Sequence, residues 1–535
     1  MVSEKNVNSL SRSFLPVLIL LIVLEIIFFF FYGLSRHFNY LTSINDLGHM
    51  DQAVWGTLHD DLFLNSDLFS KPINRLGFHF TPILAVFLPL YALSPSVTWL
   101  ILAQAVAIPL TALPTYFLAR RVCQSEQESF FWATACLFSP YMLSAASWDF
   151  HTVSLAAPFI ALAFLAVEKK QHVVLLVACL VVLLCSEHFG VLVIGFGMLW
   201  YIRHREFRPS LLLIMIGAIS FLLIMKIIMP AFSPTGQHLM LSKDLGQLSR
   251  YAWLGQSLQE VTLTILSNPF GVLREVLFNM GGLTYLVLLF LPFLCLPLIG
   301  VEFLLPGLAD LLANLLSATP MPRSLFAYHS VTLIPVCVVS AIYGCRRAGR
   351  IQTTVSSKRL SFAILIITLV IAWAAFPFFS LPGSQGFWQP KRVFALHDPN
   401  YAQVRGLISP TMSLSVQANV GAHFTQRKEV YLYPDRVGEA EAVVLRLESP
   451  TTMIGGRDPA QIVSLAHHLQ MDPFAYLESA KDLLRRQEYS RVVWADPWLV
   501  FLKGESLPVD IDAVFARIDY LQHEWLSSDT GFISD

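Results

Sequence analysis

Five short motifs set acids and histidines at points where an apolar sequence breaks off. "NDLGHMDQAVW" carries Asp46, His49 and Asp51, with Gln52 beside them. "GFHFTP" carries His79, "SWDFH" carries Asp149 and His151, "CSEHFG" carries Glu187 and His188, and "FAYHS" carries His329. Such groups are either ordinary loop polarity or the reacting end of a membrane enzyme. Ionisable residues near membrane depth are costly and by default mark a site. Several on one membrane side fit a shared outer cavity better than independent loops. Histidines and carboxylates also suit zinc or manganese. No pair has H-x-x-x-H spacing and the groups come from different loops, so no metal ligand set is assigned and a divalent metal stays a minority alternative.

Each motif has a plainer reading. Asn45 or Asp46 can cap a helix lying on the membrane, with Leu47, Met50, Val54 and Leu58 as its apolar face. The glutamate of a capping box is missing, because His49 stands three residues after Asp46. Asp46 and Asp51 do not share a helix face, since five residues turn a helix by about 140° beyond a full turn. Lys226 near a span end is read as snorkelling to the headgroups. Glu25, in the middle of the first apolar run, is expected to face the bundle interior.

The elements that must position these groups follow from composition. The chain has 535 residues, 55% hydrophobic and only 14% charged, with mean hydropathy +0.59. Soluble domains carry roughly 25% charged residues. The net charge of −1 gives no reason to expect a nucleic-acid partner. The polar leader Met1–Ser13 and the long run Phe14–Tyr32 read as a retained signal anchor. Seven cysteines lie in or beside apolar segments without C-x-x-C spacing, which argues against thiol zinc sites and disulfides.

About 11 spans are expected, at 14–34, 96–119, 129–148, 152–168, 171–186, 189–203, 210–229, 284–300, 302–318, 328–345 and 360–379. The stretch 79–94, punctuated by Pro82 and Pro89, reads as interfacial or re-entrant. With the N-terminus in the cytoplasm, four basic clusters fall on the cytoplasmic side: Arg120-Arg121, Lys169-Lys170, Arg203/Arg205/Arg208, and Arg346-Arg347-Arg350 with Lys358-Arg359. The polar motifs, the long 230–282 connection and the tail then fall outside. The expected class is a polytopic α-helical membrane protein. It has a transmembrane domain over 1–379, an outer loop 35–95, and a small extracytoplasmic α/β or α+β domain over 380–535. In that tail "SLSVQA", "EVYLYP", "AVVLRL", "RVVWAD" and "WLVFLKG" read as strands. "DPFAYLESAKDLLRRQ" reads as a helix capped by Asp472 with Pro473 at its first position.

From Asp46 to Lys503 the motifs, with "NVGAHFTQRKEVYLYP" late in the chain, resemble a bacterial and archaeal family of multi-pass membrane proteins of unknown function. That family's usual lysine–acid pair after the fifth span reads Ser186-Glu187 here. The order of elements is also similar to the GT-C glycosyltransferases, which take sugars from polyprenyl-phosphate carriers and keep a catalytic acid in the first outer loop. The resemblance implies Asp46 as first candidate for the base that takes the acceptor proton, and Asp51 as second. It implies Lys71, Arg75 and Arg323 as partners of the leaving phosphate. Gln52, His49, His79, Asp149, His151, Glu187, His188 and His329 then become substrate contacts. Implied partners are the bilayer of a plasma membrane, a polyprenyl-phosphate-linked sugar and an acceptor. Fold analogy does not fix function. A transporter or flippase of a lipid-linked or small solute, and a non-catalytic scaffold, remain the competing readings.

Overall fold

The computed structural model describes residues 13–66, 72–236, 248–325, 327–351, 356–375, 398–449, 462–486, 488–503 and 510–529. Lys71, the leader up to Arg12 and the 379/380 boundary lie outside the described residues. The fold is mostly helical. Five helices are long and apolar enough to cross a membrane: Leu15–Phe38, Thr98–Cys123, Thr152–Lys169, Phe207–Phe232 and Ser357–Ala374. A sharply bent pair, Gln259–Ser267 with Pro269–Asn279, meets the same test when taken together.

The expected 328–345 span is the 19-residue helix Leu333–Ile351, and the other remaining spans appear as shorter pieces. The 129–148 stretch divides at Ser139-Pro140 into Glu126–Leu137 and Pro140–Ser147. Proline at the first helical position ends one helix and starts the next. The 284–300 stretch is Gly282–Phe290 followed by 3-10 turns at Leu291–Phe293 and Leu296–Leu298. The 302–318 stretch is a 3-10 run, Val301–Gly307, leading into Leu308–Leu316. Pro292, Pro297 and Pro306 each remove a backbone donor in these segments.

The two ends of the bundle have different chemistry. At one end the basic clusters converge on a few acids. Arg121 and Arg203 lie 3.5 and 3.2 Å from Glu168, and the Tyr343 hydroxyl donates to the same carboxylate. Lys170 pairs with Glu206 at 2.5 Å, Arg347 pairs with Glu302, and the Ser357 hydroxyl donates to Glu128. At the other end the polar motifs meet. Gln104 donates to the carbonyls of Ala145 and Trp148, and Thr152 donates to that of Cys185.

Residues after 398 form a five-stranded sheet in the order Val430–Leu432, Leu414–Val416, Ala442–Arg446, Trp498–Leu502, Arg491–Ala495. The first three strands run parallel and the last two pair antiparallel. All five segments read as strands from sequence form the sheet. The helix Pro473–Arg486 starts where expected, with Asp472 accepting from the Ala475 amide at 2.8 Å. The sheet sits on the polar end of the bundle. Tyr40 and Ile44 join its core beside Leu414, Val416 and Trp498. Gly48 makes this approach feasible, because a Cβ there would meet Thr425 Cγ2 at 2.9 Å.

Candidate functional site

The "NDLGHMDQAVW" stretch is a short π-helical turn, Ile44–Gly48, running into the helix His49–Thr57. Ser43 caps it, its hydroxyl accepting from the Asn45 amide at 3.1 Å. Neither Asn45 nor Asp46 is the cap, so that reading of Asp46 is replaced. Leu47, Met50 and Val54 pack into a protein core with Leu84, Phe87 and Leu100 where a membrane-facing stripe was expected, while Leu58 is 39% exposed.

Asp46 faces a cavity of about 640 Å³ at the polar end. That size is within the roughly 300–1,000 Å³ of small-molecule sites. Asp46, His49, Arg75 and His79 line it from the outer loop, and His151, Glu187, His188 and His329 from the loops between helices. Among the described residues, none from the four basic clusters lines it.

Two polar constellations define its chemistry. His151 Nε2 lies 3.4 Å from Asp46 Oδ1, and His151 Nδ1 lies 3.0 Å from the Asp149 carbonyl oxygen. A carbonyl oxygen only accepts, so Nδ1 carries a proton. An ionised Asp46 only accepts as well, so Nε2 can bond to it only as a donor. The ring stacks on Tyr328 at 3.5 Å between centroids. Burial pushes the Asp46 carboxyl up, but the facing His151 and His49 outweigh it and hold the group at about 2.

The second constellation is continuous along the cavity wall. Glu187 Oε1 lies 3.3 Å from His79 Nδ1, and Oε2 accepts from the Phe80 amide and the Ser186 hydroxyl. Burial raises the Glu187 carboxyl, while His79 and His188 bring it down to about 2. Ser186 has one hydroxyl proton and gives it to Glu187, so His188 Nδ1, at 3.0 Å, must donate to Ser186. His188 Nε2 is 3.2 Å from Asp310 Oδ1, whose other oxygen accepts from Thr332 at 2.6 Å. His188 is thereby held as an imidazolium between two acids. Burial opposes that charge, and Asp310 with Glu187 overcomes it and raises the His188 pKa.

Other candidates have partners elsewhere. Asp51 points away from the cavity and accepts from Tyr91 at 2.9 Å, Thr425 at 2.7 Å and Gln426 at 3.2 Å. Gln52 donates to Ser66 and to the Arg427 carbonyl and accepts from the Ser66 amide. These two residues fasten the outer loop to the sheet region, which accounts for the "NVGAHFTQRKEVYLYP" segment. Asp149 pairs with Arg36 at 2.8 Å and accepts from the Ser43 amide at 2.7 Å. Its backbone carbonyl holds His151, and it does not line the cavity. Arg323 is buried against the carbonyls of Asn314, Leu315 and Ser317. Arg75 lines the cavity but is also committed, donating to Thr81 and Asn65 at 3.2 Å each.

Sequence reasoning missed Asp310, Asn314, Tyr328, Arg250, Tyr251, His467 and Gln470, all of which line the cavity. "LADLLANLL" held a usable signal, because an acid and an amide four apart share one helix face inside an apolar window. His467 and Gln470 come from the tail and had no such signal. Among the described residues no three His, Cys, Asp or Glu side chains converge as a metal site. All seven cysteines are free thiols.

Apolar crossing helices with a polar cavity at one end define a polytopic helical membrane protein. Residues 36–446 match the family model described as a predicted membrane protein, DUF2079, and the chain belongs to that family. No curated protein matches the chain.

Proposed function

We propose that the chain is a glycosyltransferase that moves a sugar from a polyprenyl-phosphate carrier to an acceptor hydroxyl at the outer leaflet. In this reading the chain crosses the membrane eleven times. The basic clusters and N-terminus face the cytoplasm, and the cavity and sheet region face outward. The observation that carries the reading is Asp46, in the first loop after the first helix, paired with His151 and lining the polar cavity.

The acceptor oxygen attacks the anomeric carbon as the bond from that carbon to the phosphate oxygen breaks, and the lipid phosphate leaves with the bonding pair. Asp46 takes the hydroxyl proton. A carboxylate held near 2 is ionised and ready, yet it is a weak base. It accepts a proton only from an oxygen already made acidic by bonding to the sugar, so proton transfer comes late. The departing phosphate is met by cations on the cavity wall. Arg250 takes that role in place of Arg323, since it lines the cavity and its side chain makes no ion pair among the described residues.

A transporter needs access from both faces, and among the described residues none from the basic-end clusters lines the cavity. That favours transfer over transport. Asp46→Asn tests the reading. Transfer is expected to fall by about 10²–10⁴-fold, the usual contribution of general acid–base catalysis, with membrane insertion intact. Undiminished transfer removes Asp46 from the chemistry.

A further inference from the structure

We infer that the bent helix pair over residues 257–279 is an L-shaped amphipathic element seated in the membrane interface on the cavity side, and that it does not cross the bilayer. The inference depends on the chain being a membrane protein and is independent of the transferase reading.

The sequence encodes the bend. Ser257 accepts from the Glu260 amide at 3.2 Å while Glu260 accepts from the Gln256 amide at 2.8 Å, a reciprocal cap that starts the first arm. Asn268 then accepts from the Gly271 amide at 3.0 Å with Pro269 next to it, starting a second arm. The arms meet at 94°. At 1.5 Å per residue each reaches roughly 15 Å, about half of a 30 Å hydrocarbon core.

Entry and exit lie at the same end of the bundle. Just before the first arm, Arg250 and Tyr251 line the cavity, and the Tyr251 hydroxyl donates to the Ala313 carbonyl at 3.2 Å. Just after the second arm, Tyr285 lies 2.9 Å from Ser330 Oγ and accepts from Asn314, itself a cavity residue. A segment that leaves and returns at one end has made no net crossing.

One face of the element packs on the protein and the other is exposed. Val261, Ile265, Val272 and Val276 pack on Leu254 and on Leu315 and Leu316 of the cavity-wall helix. Leu263, Leu266, Phe270, Leu273 and Phe278 point outward at 53–84% exposure. Lone exposed apolar residues need no explanation, but a contiguous stripe marks a contact surface. This stripe continues into Leu283, Val287 and Leu291 on the next descending helix, which are 45–47% exposed. Glu260, Arg274 and Glu275 keep the element from being apolar all round, the pattern of a helix lying about 5–10 Å into the headgroup boundary. Acyl chains of that leaflet therefore border the cavity wall.

The test uses the full chain with the exposed Cys295 changed to Ser and an environment-sensitive fluorophore on Phe270→Cys, in phosphatidylcholine vesicles. Leu266→Cys gives a second reading at the bend. Glu478→Cys on the sheet region serves as the aqueous reference and Leu222→Cys on a long helix as the deep one. Lipids with a nitroxide near the headgroup should quench Phe270→Cys more strongly than lipids with a nitroxide near the chain end. Aqueous iodide should quench it less than Glu478→Cys. Iodide quenching equal to that of Glu478→Cys overturns the inference, and so does a depth profile matching Leu222→Cys.

Discussion

The two ends of the helical bundle solve the same problem, charged groups beside a membrane, with different partners. At the basic end, acids pair with arginine and lysine: Glu168 with Arg121 and Arg203, Glu206 with Lys170, Glu302 with Arg347. Arginine and lysine are residue types that titrate well above neutrality. Along the cavity wall, acids pair with histidines, Asp46 with His151, Glu187 with His79 and Asp310 with His188, while Asp149 behind it pairs with Arg36. Imidazole changes charge near neutrality. The two ends therefore differ in whether the partner residue type changes charge near neutral pH.

Breaking the cavity end should matter most. His151→Phe keeps a ring against Tyr328 but removes the proton shared with Asp46. A loss of about 10²-fold or more in transfer rate is expected, read in vesicles with unchanged thermal unfolding. Next comes Asp51→Asn, which weakens two hydrogen bonds joining outer loop and sheet region, from Thr425 and Gln426, and one from Tyr91 within the outer loop. It should cost about 1.5–3 kcal/mol of stability, seen as a lower Tm in detergent, while the cavity stays intact.

Asp310→Asn should act on pH dependence. The His188 pKa is raised in the folded chain. Its contribution to stability is therefore complete below the unfolded value of about 6.5 and is lost as pH rises through the folded one. Tm measured across that interval should fall with rising pH in the native chain and fall less in Asp310→Asn. Smallest of all, Glu168→Gln at the basic end should change stability by about 0–1 kcal/mol, because its partners are partly exposed. An effect larger than that of Asp51→Asn would erase the contrast between the ends.

Much of this arrangement was legible in the sequence. Apolar windows located the long helices, and the alternation in the tail located all five strands. The cavity residues from the outer loop and the inter-helix loops announced themselves as polar groups at span ends. What stayed hidden was partnership across long separations. Asp51 looked like a second catalytic acid because Thr425 and Gln426, 374 and 375 residues away, cannot be paired with it by local spacing. Arg323 looked like a free loop cation, yet its guanidinium folds back on three carbonyls. The 230–282 connection read as a polar loop, although its apolar residues are interleaved with Glu260, Arg274 and Glu275 in an amphipathic pattern. Glu25 is buried as expected, and its Oε1 has no hydrogen-bond partner among the described residues. Nothing in the fold explains it.

The sharpest contrast is between two acids five residues apart, one facing the cavity and one locked into a junction. Mass spectrometry of lipid carriers in a deletion strain carrying the native chain, Asp46→Asn or Asp51→Asn at matched membrane levels tests it most directly. The account predicts that one lipid-linked sugar accumulates in the deletion and with Asp46→Asn, and clears with the native chain and Asp51→Asn. Clearance by Asp46→Asn would contradict it.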